Sequence, residues 1–460
     1  MKLFKNELGS VPAGLNASSL NLIALEAFRR GMSLEFHAAE NRRGFLIRIS
    51  DGHKSHDFKG ATAPLTDPSG GEICNDKWKT KRALADAGVL TPKGFLFSKS
   101  DTTVDVLSRG RRLSYPVVVK PVDGSKGVGV VTDVASEDAL KGLVDDLIGG
   151  GEEGARWVVE EQVEGAEYRV LVVNGVFIAA LGRRRASVKG NGQDSIRHLV
   201  KRYNRERKRN PHLRSRLVGG DDDLHRVLGT QGYTVDDVPD EGVTVRLSGP
   251  ANFSSGGVSQ DCTDLVSQEV REASVAAVCA IPGIFHAGVD VIVNNAGRPY
   301  VIEINHGPAV GSHHFPAEGV ARDVAARIVD GHFPDSVASG RHNIFFNFKE
   351  IRSLFVSRKV EEFVLPRVSP DVIGVKLSVS GSNGWPGLST WVDRNARKRG
   401  ISGSIRVINS GQAEIIAAAE PSLLRRFEHL FAKVCRQRLH EELLVTRWNC
   451  PVFIGFRVRS

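Results

Sequence analysis

Apolar residues recur every three to four positions over residues 19–31, SLNLIALEAFRRG, which predicts a helix stopped by a glycine. The same period predicts helices over 136–148, 319–330, 388–399 and 421–437. Asn75 is placed to cap a helix through DKWKTKRALADAG that ends at Gly88. Short apolar or alternating runs predict strands at 45–49, 94–97, 115–120, 157–160, 168–173, 176–181, 243–247, 287–293 and 299–304. Asn174-Gly175 is a two-residue hairpin signal, and Asn294-Asn295-Ala296-Gly297 joins the last pair. Residues 62–71 read as a loop and 345–370 as a connecting segment.

The pattern divides the chain. Residues 1–70 form a small α/β lobe, 71–340 a larger α/β domain, 341–371 a connection, and 372–460 a last domain. In that last domain strands at 372–379, 403–408, 412–418 and 451–459 alternate with the two helices in a βαββαβ order, the ferredoxin-like plan. A length of 460 residues suits two to four domains. A hydrophobic content of 41% with 25% charged residues is ordinary for a globular chain. The net charge of +9 suits a polyanionic ligand such as a nucleotide, without arguing for nucleic acid. The five cysteines are scattered and form no CxxC pair, as expected of free thiols in the cytoplasm. No signal peptide is evident, and the longest apolar stretch, Val275 to Val293, is broken by Pro282, Gly283, His286 and Asp290, so no membrane span is expected.

Candidate chemistry begins at Lys120 to Val130, KPVDGSKGVGV, after the apolar run Val117-Val118-Val119. A buried strand ends in a lysine, then a loop carries Gly124, Ser125, Lys126, Gly127 and Gly129. The glycines let backbone N–H groups turn onto an anion, and Lys120 and Lys126 add charge. No Gly-Lys-Ser/Thr opens a helix, so this is not a Walker A loop. Val158-Val159-Glu160-Glu161 offers an apolar slot ending in acids, and Glu167 follows seven residues past Glu160. These suit the adenine and ribose of ATP; a hairpin with exposed acids is the other reading. Asp290 ends GVD in one apolar strand, and Glu303 and Asn305 end the next, VIEIN, on one strand face. Carboxylates inside apolar strands need a compensating cation, and Mg²⁺ takes such hard oxygens. Acids that simply reach solvent at strand ends are the alternative.

The stretches DKWKTKRALADAGVLTP, VVVKPVDGSKGVGV, VEEQVEGAEYRVLVVNG and VDVIV…YVIEINHGP resemble the ATP-grasp superfamily, which includes D-alanine–D-alanine ligases. RRRASVKGNGQDSIRHLVKRYN, VRLSGPANFSSGGVSQDCTD and SHHFPAEGVARDVAARIVDGHFP resemble the ATP-grasp part of cyanophycin synthetases, and the likeness covers about residues 18–335. The resemblance implies that Lys77 and Lys120 hold the ATP phosphates and that the loop Asp123 to Gly129 closes over them. It further implies that Glu160, with Glu161, meets the adenine edge, that Glu167 meets the ribose, and that Asp290, Glu303 and Asn305 bind one or two Mg²⁺. Arg183 and Arg246 match family arginines and are assigned to the acyl phosphate or substrate anion, with the loop Asn252 to Gly257 as a donor of backbone hydrogen bonds. D-alanine ligases carry a transition-state arginine two residues before the metal aspartate; here that residue is Gly288, and Arg246 is assigned its task. No Mur-ligase-like half follows, so a peptide or amino-acid ligase is expected rather than cyanophycin polymerisation.

Residues 373–459 resemble acylphosphatase, but the arginine and asparagine positions of that family fall on Ser389 and Val407, and Pro386 removes a cradle donor. The expectation is an ATP- and Mg²⁺-dependent ligase joining a small-molecule or peptide carboxylate to an amine through an acyl phosphate, releasing ADP and phosphate. A hydrolase acting through the last domain and a nonenzymatic ATP-binding scaffold stay open, as does a homo-oligomer. The basic stretch 197–216 has no interleaved aromatics beyond Tyr203, so a solvated helix face or an acidic-substrate patch is preferred over nucleic-acid binding.

Overall fold

The computed structural model describes residues 2–39, 45–124, 127–219, 221–248, 257–336, 340–380, 385–409, 412–439 and 443–459. The chain folds as two compact units, Ala61–Arg327 and a second unit made of Met1–Gly60 with Ile328–Ser460. The units fall differently from the four segments that the sequence suggests. The two ends of the chain share one unit.

The unit Ala61–Arg327 holds two antiparallel sheets. The four-stranded sheet runs in the order Gly94–Ser98, Arg156–Glu161, Val117–Pro121, Val131–Val134. Val117, Val119, Trp157 and Val159 point to one face, where they bury Val106, Leu140 and Val144 of helices Thr103–Gly110 and Glu137–Gly150. Alternation then sends Lys120 and Glu160 to the opposite face. The five-stranded sheet runs Val258–Asp261, Val176–Arg184, Gly165–Val173, His286–Asn294, Pro299–Asn305. Its core face carries Val170, Val172, Ala180, Val289, Val291, Val301 and Ile304 against Val270, Ala277 and Val278 of helix Gln268–Cys279. A third cluster joins helices Ile196–Arg209 and Asp221–Gly229 to the ribbon Ser187–Lys189 with Thr244–Arg246, through Leu199, Leu228 and Val245.

The loop expected over 62–71 ends early. Helix Pro68–Asn75 starts there because Asp67 accepts from the Ser69 N–H and Pro68 has the φ a first turn needs. Asn75 therefore closes one helix, and Asp76 caps the next, Lys77–Asp86, by accepting from the Lys79 N–H at 2.8 Å. The helix expected over 319–330 is observed as Val324–His332, after the Asp323 side chain that accepts from Ala326 N–H.

In the second unit, strands Ser33–Ala38, Phe45–Ser50 and Ser55–Phe58 form a sheet whose outer strand is Glu362–Leu365. The segment expected only to connect thus supplies a strand, and also helix Phe348–Val356. Phe45 stacks on Phe355 of that helix, with ring centroids 5.1 Å apart. The C-terminal sheet runs Leu444–Arg447, Ile373–Ser380, Gln412–Ala419, Ser402–Asn409, Phe456–Arg459. Helices Leu388–Lys398 and Pro421–Leu439 cover it with Val392, Ala396, Leu424, Phe427 and Phe431. The single last strand expected at 451–459 is two short ones, and a further strand, Leu444–Arg447, precedes them. Leu444–Arg447 pairs with Ile373–Ser380, Val452–Phe453 pairs with Ile344–Phe345, and Phe456–Arg459 pairs with Ser402–Asn409. Residues 382–384 of the expected phosphate cradle lie outside the described residues. No helix among the described residues is long and apolar enough to cross a membrane, and all five cysteines are free.

Candidate active site

A cavity of about 780 Å³ is lined by the inner faces of both sheets of the Ala61–Arg327 unit. It brings together Lys77, Lys120, Gly124, Gly127, Glu160, Glu161, Glu167, Arg183, Asp290, Glu303 and Asn305. Two expected site residues are not among its lining. Gly129, at φ +73°, lies in the loop between the lining residues Val128 and Val130. Arg246 sits exposed on the two-stranded ribbon, where its backbone N–H donates to the Gln231 side chain at 2.9 Å. The task assigned to Arg246 therefore finds no support in its placement. Ser125, Lys126 and most of the loop Asn252 to Gly257 lie outside the described residues.

At one end, a lysine cluster surrounds a buried acid. Glu160 is 4% exposed and takes an ion pair from Lys120 and another, at 2.8 Å, from Lys81. Burial alone would raise its carboxyl; Lys120 and Lys81 outweigh that and hold it below the usual range. Oε1 takes the hydrogen bond from Lys120, while Oε2 has the Lys81 ammonium at ion-pair distance but no hydrogen bond of its own, so Glu160, at the cavity wall, orders the two lysines. Lys77 donates to the Gly124 carbonyl, which ties the helix start to the glycine loop. Burial lowers the Lys77 ammonium against the pull of Glu303. Glu161 instead accepts from the Ser114 N–H at 3.0 Å.

At the other end, register sets the acids. Asp290 pairs directly with Glu303, and Gly288 with Asn305. The register slips after Asp290, so that Val301 faces the core while Ile302, Glu303 and Asn305 line the cavity. A bulge re-aims side chains in this way. Asp290 is gripped by two arginines. Arg169 donates through two nitrogens, the second at 2.8 Å, and Arg183 donates at 3.3 Å. Burial would raise the Asp290 carboxyl, but Arg169 and Arg183 hold it below the usual range. Partial desolvation pushes Glu167 up, with Asp290 adding to the effect against Arg183 and Arg185.

Arg169 lines the cavity beside Asp290 and is not among the residues that the sequence singles out. It pairs with Asp290 across the strands Gly165–Val173 and His286–Asn294. A Cβ on Gly288 would lie 2.9 Å from its Cδ and 3.3 Å from one guanidinium nitrogen. The missing side chain at 288 is what leaves room for it. The YRV of GAEYRV was in view, but its tie to residue 290 exists only through register.

The donor set fits Mg²⁺. Three side chains with hard oxygens, Asp290, Glu303 and Asn305, lie on the cavity face of one pair of strands. Glu303 makes no hydrogen bond or ion pair among the described residues, and the buried Asn305 Nδ2 has no partner there. Both are thus ready to turn toward a ligand, whereas Asp290 would have to share its oxygens with Arg169 and Arg183.

Comparison with known proteins agrees with this geometry. Residues 74–194 match the RimK-like ATP-grasp domain. The cyanophycin synthetase of Geminocystis herdmanii is 30% identical over 307 residues, covering 63% of this chain and 34% of that protein. The glutathione biosynthesis bifunctional protein GshAB of Streptococcus thermophilus is 31% identical over 275 residues, covering 57% of this chain and 36% of that protein. The chain thus spans about a third of the length of these relatives. A bifunctional glutathione synthetase from Pasteurella multocida shares the fold, at a TM-score of 0.50 and 23% identity over 65% of this chain and 41% of that one. The segment that matches the RimK-like ATP-grasp domain, residues 74–194, lies in the unit Ala61–Arg327 and supplies the lysine cluster of the cavity.

Proposed function

We propose that the chain is an ATP- and Mg²⁺-dependent ligase that joins a carboxylate to an amine through an acyl phosphate, releasing ADP and phosphate. The observation that carries this reading is one cavity lined both by Lys77 and Lys120 and by Asp290, Glu303 and Asn305. Bound Mg·ATP would supply the γ-phosphoryl group and a divalent charge that offsets the phosphate charge. Lys77 and Lys120 are positioned to neutralise phosphate oxygens, with Glu160 fixing the Lys120 ammonium. Glu303 and Asn305 would hold the ion, joined by Asp290. Arg169 and Arg183 would steady the anion that develops as the amine attacks the acyl carbon, a role for preorganised charge. Glu167, at the cavity edge, is suited to the ribose hydroxyls. No enzyme nucleophile is required.

The last domain has the acylphosphatase-like βαββαβ plan in this reading, with Leu444–Arg447 as the strand beside Ile373–Ser380. Ser389 and Val407 deprive it of that family's chemistry. The reaction type is tested by labelling. Oxygen-18 in the substrate carboxylate should appear in released phosphate. Label in AMP, or AMP and pyrophosphate as products, would mean adenylation instead.

A further inference from the structure

Nearly all of the chain's net charge lies in its last domain. Residues 372–460 hold fourteen Lys and Arg against six Asp and Glu, a net of +8 out of +9 for the whole chain. Helix Pro421–Leu439 concentrates that charge on one face. Arg425, His429, Lys433 and Arg436 recur at helical spacing, with Arg426 beside them, and all five are exposed. The opposite face, Leu424, Phe427, Phe431 and Cys435, is in the domain core. The only acid of the helix, Glu428, is half-buried. Among the described residues Arg425, Arg426, Lys433 and Arg436 make no hydrogen bond or ion pair. The basic stretch around helix Ile196–Arg209 is different. There Arg197 pairs with Asp236 at 3.0 Å, Arg202 with Asp194 at 3.4 Å and Arg209 with Glu206 at 3.1 Å.

We propose that this helix face is a docking surface for a carboxylate-rich, acidic peptide, brought as a substrate or substrate carrier to the ligase. The choice of peptide rests on the ligase reading, because a carboxylate is what that reaction consumes. It also agrees with the cavity, whose wall past the acids carries Arg169, Arg183, Arg185 and Arg216. Cations spaced by four helical residues stand about 6 Å apart. Carboxylates on alternate residues of an extended peptide stand about 6.6 Å apart. Charge and spacing therefore match together. A bilayer is a poor occupant, because the apolar face of the helix is already used in the core. Single-stranded nucleic acid wants stacking platforms, and the exposed large hydrophobic side chains of the described residues include no aromatic.

The test uses the full chain and three fluorescent or sedimentable probes: an oligoglutamate, a short DNA duplex and phosphatidylserine vesicles. The oligoglutamate should bind, weaken as salt rises, and lose about tenfold or more in affinity when Arg425, Arg426, Lys433 and Arg436 are all changed to Glu. ADP release with a small carboxylate–amine pair should be unchanged in that variant. Circular dichroism checks its fold, and a variant with the same four residues changed to Gln should lose affinity by a smaller factor. Equal peptide affinity in wild type and both variants overturns the proposal. Tighter binding of the duplex or the vesicles than of oligoglutamate overturns it in favour of that partner. Failure of the ligase reading is seen separately, as absence of ADP release in the wild type while charge-dependent peptide binding persists.

Discussion

Glu160 shows how one buried carboxylate at a cavity wall can order two lysines. Its folded pKa lies below its ordinary value of 4.5, held there by Lys120 and Lys81 against the effect of burial. A lowered pKa gives stability that is complete above the unfolded value and is lost as pH falls through the folded one. Urea midpoints should therefore drop as pH falls below 4.5 in the wild type. In Glu160→Gln that acid-side slope should flatten. At neutral pH the variant should be less stable by about 3 kcal/mol, since two buried ammonium groups lose their partner. An acid-side slope equal to wild type would contradict the ion-pair account. Lys120, Glu303 and Asn305 were legible as sequence, because strand alternation alone puts them on a polar face. Arg169 was not, because its partner is 121 residues away and is fixed by register. Arg246, assigned the task that residue 288 cannot fill, sits on the ribbon with Ser187–Lys189 and outside the cavity lining.

Elements were legible where their signals are local. The hairpin at Asn174-Gly175, the helix over 136–148 and the two C-terminal helices follow from turn chemistry and period. Glu362–Leu365 was not, since a strand four residues long is recognised only by its partner Leu34–His37, more than three hundred positions earlier. Close packing between elements makes a further prediction. A Cβ on Gly165 would run into the Val293 carbonyl on the neighbouring strand. Gly165→Ala should therefore push apart the two strands that carry Arg169 and Asp290, costing about 1–3 kcal/mol in thermal unfolding. An unchanged midpoint would mean that the strand start is not held against its neighbour. The C-terminal module should be chemically inert toward benzoyl phosphate in the full chain. Val407 is exposed where a water-orienting amide is needed, and the nearby Arg406 is paired with Glu414 at 3.1 Å. Hydrolysis well above buffer, abolished by Arg394→Ala or Arg406→Ala, would show a relocated catalytic arginine.

At the scale of the whole chain, the segment that matches the RimK-like ATP-grasp domain was legible because its motifs keep a fixed order along the sequence. The division into units was less so, because the first sixty residues fold with the last third, and no composition shift announces such a return. The central claim is that one cavity in the Ala61–Arg327 unit binds Mg·ATP and uses it to make an amide bond. Product analysis over a panel of carboxylate–amine pairs, run on the wild type and on Glu303→Ala, tests it most directly. The account predicts ADP and phosphate in equal amounts with an amide for at least one pair in the wild type, and none from a folded Glu303→Ala variant. AMP with pyrophosphate, or wild-type-like turnover without the Glu303 carboxylate, would contradict it.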